Sequence, residues 1–244
     1  MRGKIGIALV AAAALLLAGG SAEAAKPTAT LISVDSLQQY KARGGNGGGG
    51  GGGGKPVPTA NCEDDGAGNG DYGTTGWVVA GNRTAHLNTS TIPSGLTQAA
   101  VVASVQDAFD VWENAEAAAP TFNVATDGAV RRYTANRQTD LLFGKTGSSI
   151  ATTYTWRWSD GLIESDVVFN SNLAWFVAGA EGDGCDESTP KYEVGNIAAH
   201  EFGHVYGLGH STGRFETMYS YGFTGETLKQ SPSTGDTAGI RSLY

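Results

Sequence analysis

The sequence predicts an α+β fold in which one β-sheet is backed by a long helix and a second helix carries clustered histidines. Three observations predict it. The stretch from Ser94 to Ala118 repeats apolar residues at helical spacing, and shorter stretches between Thr121 and Asn170 alternate apolar and polar residues. Three of the chain's four histidines fall within the eleven residues His200 to His210.

The N-terminal quarter divides in two. Residues 1–24 read as a secretory signal: Arg2 and Lys4 give a basic start, Ile5 to Ala18 is apolar, and Ala22-Glu23-Ala24 is a small-x-small cleavage site. The apolar run is too short to span a bilayer, so the expected product is secreted, extracellular and without a membrane span. Residues 25–60 read as a leader and linker. Ala25 to Tyr40 is weakly patterned, and eight consecutive glycines from Gly47 to Gly54 have no means of burying surface. Lys55-Pro56-Val57-Pro58 then stiffens the chain before one domain over residues 61–244.

Within that domain Trp77–Ala80 and Thr84–Asn88 read as strands around a turn at Gly81-Asn82. Ser94 can cap a helix that buries Val101, Val105, Ala108, Phe109 and Trp112 on one face, and Pro120 ends it. Strands follow at Thr121–Ala125, Thr139–Phe143, Ile150–Trp158 and Ile163–Asn170, separated by glycine-bearing turns. Their alternation predicts one sheet with a covered face. A glycine- and acid-rich loop over 179–189 leads to a helix that starts near Tyr192 or Glu193, and a last helix runs from about Ser233 to Leu243.

Composition excludes some functions. A net charge of −8 and a pI near 4.9 argue against nucleic-acid or anionic-membrane binding. With 40% hydrophobic and 16% charged residues, the chain can bury one sizeable core, and a monomer is expected. The two cysteines, Cys62 and Cys185, most simply form one disulfide in an exported chain. The alternative is that Cys62 serves as a thiolate on a metal, leaving Cys185 free.

The histidine segment carries the chemistry. Residues four apart on a helix share a face, so His200 and His204 can present two imidazoles to one ion, while Glu201 flanks it without binding. Gly207 stands where a helix end needs a left-handed residue, and a turn there returns His210 as third ligand. Three protein ligands leave one position open for water, the mark of a catalytic zinc. Glu201 is then placed as general base and acid for a water that zinc makes acidic. One zinc ion, held by His200, His204 and His210, is the expectation, with no organic cofactor.

His200-Glu201-Phe202-Gly203-His204 through His210, followed by Ser211, resembles the metzincin zinc endopeptidases and most closely their matrixin family. Met218, eight residues after His210 and followed by Tyr219, matches the family's Met-turn, and Gly239 to Tyr244 is similar to its final helix. The resemblance runs over roughly Tyr72 to Tyr244. It implies a zincin-like fold with a twisted mixed sheet, a backing helix, an active-site helix and a small C-terminal subdomain. It also implies endopeptidase action on extended protein or peptide substrates lying along the strand Gly147–Thr155 as the sheet edge, with Gly161–Asn170 next inward. The pocket wall would come from Tyr219-Ser220-Tyr221-Gly222-Phe223, where Ser220 replaces the usual proline.

Two features depart from the family. Matrixins usually hold a second zinc with three histidines and an aspartate from these strands. Here Ser149–Tyr154 and Asp166-Val167-Val168 carry no histidine, and His86 is the one that remains. The family's Pro-Arg-Cys-Gly latency segment is matched at Asn61-Cys62-Glu63-Asp64 only in its cysteine. Structural calcium is a further expectation at Glu63-Asp64-Asp65 with Asp71, and at Glu181, Asp183, Asp186 and Glu187, against a reading of these acids as solvated surface. Two rival functions remain open at this level, a zinc amidase on a non-protein substrate and a tethered binding module with a vestigial site.

Overall fold

The computed structural model describes residues 25–40, 68–179 and 189–244. Cys62 and Cys185, the signal, the glycine tract and the acids 63–65 and 181–187 lie outside the described residues. In chain order the strands are β1 (Ala29–Gln39), β2 (Gly73–Thr74), β3 (Arg83–Leu87), β4 (Phe122–Ala125), β5 (Thr139–Gly144), β6 (Ser149–Trp158), β7 (Ile163–Asn170), β8 (Trp175–Phe176), β9 (Tyr192–Glu193), β10 (Leu208–Gly209) and β11 (Tyr221–Gly222). The helices are α1 (Gln98–Ala115), α2 (Val194–Tyr206) and α3 (Thr234–Leu243).

Among the described residues the main sheet has seven strands in the order β11-β1-β6-β7-β5-β3-β4. Strand β6 runs antiparallel to both β1 and β7, while β7, β5, β3 and β4 are mutually parallel, so the sheet is mixed, as expected. Parallel strands are stable only when both faces are covered, which is why every residue of β7 is buried.

One sequence expectation is overturned here. The stretch at β6 was expected to be the sheet edge, but β1 pairs along its whole length, from Ala29 opposite Trp158 to Gln38 opposite Ser149. The segment read as weakly patterned is therefore an eleven-residue strand. Its Thr30-Leu31-Ile32-Ser33-Val34 run has strand-forming residues, and a non-local partner completes the pairing. Trp77–Ala80, by contrast, forms no strand.

Helix α1 begins at an N-cap Thr97, whose side chain accepts from Ala100 N, rather than at Ser94. The five apolar residues predicted for its inner face are its buried ones. They meet α2 and β4: Phe109 stacks on Phe202 of α2 at 3.7 Å and on Phe122 of β4 at 4.6 Å, and Trp112 Nε1 donates to Ala199 O at 2.8 Å. Burying each such ring contributes about 1.5–3 kcal/mol, and the indole bond removes an otherwise unpaired donor.

The loop from β4 to β5 is held by carboxylates. Asp166 accepts from Thr134 N at 2.8 Å and Asp140 N at 3.0 Å, and Glu164 accepts from Asn136 N at 2.8 Å and Arg137 N at 2.7 Å. Arg137 sits at φ 71, a region an L-residue enters at a cost; its guanidinium pairs with Asp160 at 2.8 Å and lies over the Trp158 ring. These bonds brace the loop along β7.

Candidate metal centre

Helix α2 is buried along its whole length, which brings its polar residues into the interior with it. Glu193 caps it, accepting from Asn196 N at 2.6 Å, and Gly207 ends it in the left-handed region at φ 107. At Gly207 the sequence expectation and the geometry agree: a Cβ there would collide with Trp77 O, and the positive φ lets the chain turn back. The turn brings His210 to the helix, with His204 Nε2 and His210 Nε2 3.3 Å apart. Ligand atoms of His200, His204 and His210 all lie within 4.8 Å of one another.

Two of the rings are oriented from behind. His200 Nδ1 lies 2.7 Å from Thr217 O, and His204 Nδ1 lies 2.8 Å from Leu208 O. A carbonyl oxygen only accepts, so each Nδ1 carries the proton and each Nε2 presents a lone pair. Burial, reinforced by the neighbouring imidazoles, holds His200 well below the usual histidine range. Burial also lowers His204, and it takes His210 down to about 4, in both cases against the opposing charge of Asp35. All three are therefore in the neutral form that binds metal.

Glu201 is fully buried beside the triad, and burial pushes its carboxyl up to about 8. Thr153 Oγ1 donates to its Oε2 at 2.6 Å, which opposes that rise and fixes the side chain. Glu201 Oε1 and His200 Nε2 are buried polar atoms with no hydrogen-bond partner in the protein. Orphaned groups of this kind carry a desolvation cost, which a cation at the triad and a water beside Glu201 would relieve. The donor set thus fits zinc: three neutral imidazoles, converging, with one carboxylate alongside.

Met218 lies directly beneath the triad's helix. A Cβ on Gly203 would run into Met218 Sδ, so the glycine inside α2 exists to let the turn approach. Ser211 N donates to Met218 O at 2.9 Å, tying the segment after His210 to that turn. Buried Asp236, in the first turn of α3, accepts from Thr217 N at 2.6 Å and Met218 N at 3.1 Å. Glu216 accepts from Gly235 N at 2.9 Å and also from the hydroxyl of Ser233.

Sequence reasoning located the histidines, Glu201, Gly207 and Met218 but missed Thr153, Glu216 and Asp236. Thr153 reads as one more strand residue, and nothing local reveals that its partner is 48 positions away. Asp236 left a signal: Ser233 with Asp236 three residues on forms a capping box. Of the predicted calcium acids, the described one, Asp71, accepts from Thr212 N at 2.8 Å and Thr212 Oγ1 at 2.6 Å, and so serves as a brace between loops. His86 stands apart from the triad and pairs with Asp127 at 2.8 Å.

Comparison with known proteins agrees with this geometry. The family model described as Matrixin matches residues 77–244. The hatching enzyme of Paracentrotus lividus is 52% identical over 48 residues, covering 20% of this chain. The chain spans 8% of that protein's length in this match.

Proposed function

The chain belongs to the matrixin family, and on that premise we propose that it is an exported zinc endopeptidase that hydrolyses internal bonds of extended peptides. The observation that carries this reading is the pair of buried, partnerless atoms, His200 Nε2 and Glu201 Oε1, at a site with two further imidazoles. His200, His204 and His210 would hold the ion, and Met218 would floor the site. Zinc, when bound, supplies a Lewis acid that polarises the substrate carbonyl and acidifies water. Glu201 accepts the attacking water's proton on Oε1 and returns it to the leaving amine nitrogen. Thr153 keeps Oε2 occupied, so the free oxygen is the one that handles the proton. Burial holds the Glu201 carboxyl above the usual carboxylate range, which favours keeping the proton until the leaving nitrogen takes it.

Export rests on residues 1–24, whose charge and apolar pattern match a cleaved signal. Among the described residues no helix is long and apolar enough to cross a membrane. A disulfide between Cys62 and Cys185 would then join the start of the 61–244 domain to the loop before α2.

The test is a mixture of unrelated peptides incubated with the wild-type chain and with Glu201→Ala, with products mapped by mass. Loss of about 10²–10⁴-fold in cleavage rate is expected, the usual contribution of a positioned acid-base. Undiminished cleavage in the variant would sink the mechanism, and hydrolysis of a non-peptide amide with no cut peptide would select the amidase.

A further inference from the structure

The pocket beside the metal centre contains polar groups that the Glu201 mechanism leaves unused. His200 belongs to both, and Thr217, whose carbonyl orients that ring, lines the pocket with it. Two charged residues, Glu226 and Lys229, line it as well, and both are buried.

Each is held in place by its neighbours. Lys229 N donates to Asn196 Oδ1 at 2.7 Å, which ties the residue to α2, and its ammonium lies 5.1 Å from the centre of the Tyr219 ring. Arg214 Nη1 donates to Glu226 Oε1 at 2.8 Å, and Lys229 Nζ stands 3.5 Å from the same oxygen. One oxygen of Glu226 therefore faces two cations. Burial lowers Lys229 to about 8, which leaves it charged at neutral pH and purely a donor.

Two atoms of opposite kind are left over. Among the described residues neither Lys229 Nζ nor Glu226 Oε2 has a hydrogen-bond partner, although both atoms are buried. Groups of this kind are costly to leave unpaired, so the pocket calls for an occupant that pairs them. Leu37 of β1, which also lines the pocket, is aliphatic and offers neither counterpart. A carboxylate would satisfy the ammonium but set its own charge against Glu226 Oε2. A carboxamide satisfies both: its oxygen accepts from Nζ, its nitrogen donates to Oε2, and it brings no net charge into the interior.

We infer that Lys229 and Glu226 select substrates with a side-chain carboxamide, glutamine or asparagine, beside the bond that is cut. The inference rests on the peptidase reading, which makes this pocket a site for a substrate side chain, and it gives that site its chemistry. A pocket built to hydrogen-bond rejects a side chain that lacks the partners far more strongly than an apolar pocket rejects one of the wrong size.

The test uses the full chain carrying Glu201→Gln, so that binding is read without cleavage, and labelled peptides alike except at one central residue: glutamine, asparagine, glutamate or leucine. The better carboxamide peptide is expected to bind at least about tenfold tighter than the glutamate and leucine peptides. Adding Lys229→Met should abolish that preference, and adding Glu226→Gln should turn it toward glutamate, because the opposing charge is gone. The second variant keeps the test decisive if the first does not fold. Equal binding of the four peptides would overturn the inference. So would a preference that survives both variants, or a loss in Lys229→Met that weakens all four peptides alike, which marks an ion pair with a structural role only. If the carboxamide preference is found but the chain with native Glu201 cuts none of the peptides, the pocket stands and the peptidase reading fails. If that chain cuts peptides without regard to the flanking side chain, the peptidase reading stands and the inference fails.

Discussion

At the scale of single residues, buried carboxylates divide into those that act and those that brace. Glu201 has one oxygen held by Thr153 and one without a protein partner. Asp166 has both oxygens committed to backbone donors, and burial pushes its carboxyl up to about 8. A folded-state pKa above the unfolded value of an acid means that the folded chain holds the extra proton between about pH 4 and 8. Stability must therefore fall as pH rises through that window. Asp166→Asn removes the titration while keeping one acceptor. Urea unfolding at pH 5 and pH 8 should show wild type losing more stability over that interval than the variant. Parallel pH dependences in the two chains would show that Asp166 is ionised throughout.

At the scale of elements, the metal centre is assembled from α2, the turn at Met218 and α3. Asp236 is the link, since its carboxylate satisfies the two buried N–H groups of the turn whose Thr217 carbonyl orients His200. Asp236→Ala would leave both donors unpaired at a cost of about 2–4 kcal/mol. It should also weaken zinc binding by about tenfold, as loss of support behind a metal-ligating histidine does. Denaturant unfolding and a zinc competition titration measure the two effects. A stability change under about 0.5 kcal/mol would mean that water replaces the carboxylate. What the sequence made legible at this scale follows the range of the cause. Helix α2 was readable because histidine spacing and a glycine stop are local, and β7 because its apolar run follows a glycine-bearing turn. Strand β1 was not, because its short apolar run gains its partner more than a hundred residues away, and Thr153 was missed for the same reason. Trp77–Ala80 was read as a strand because a strand-like composition is indistinguishable, locally, from an extended segment without a partner.

At the scale of the whole molecule, the fold builds a sheet whose open side would be an edge strand beside the metal centre, and then covers that edge with its own N-terminal segment. An unpaired edge is a hazard for aggregation, and a covering strand removes it. On the proposed function the three histidines hold one catalytic ion. The measurement that meets it most directly is a zinc titration of the metal-stripped full chain, following hydrolysis of a quenched peptide together with bound zinc. Turnover should be absent at the start and reach its plateau at one ion per chain. Turnover that persists in the stripped chain, or that saturates only after a second ion binds, would contradict it.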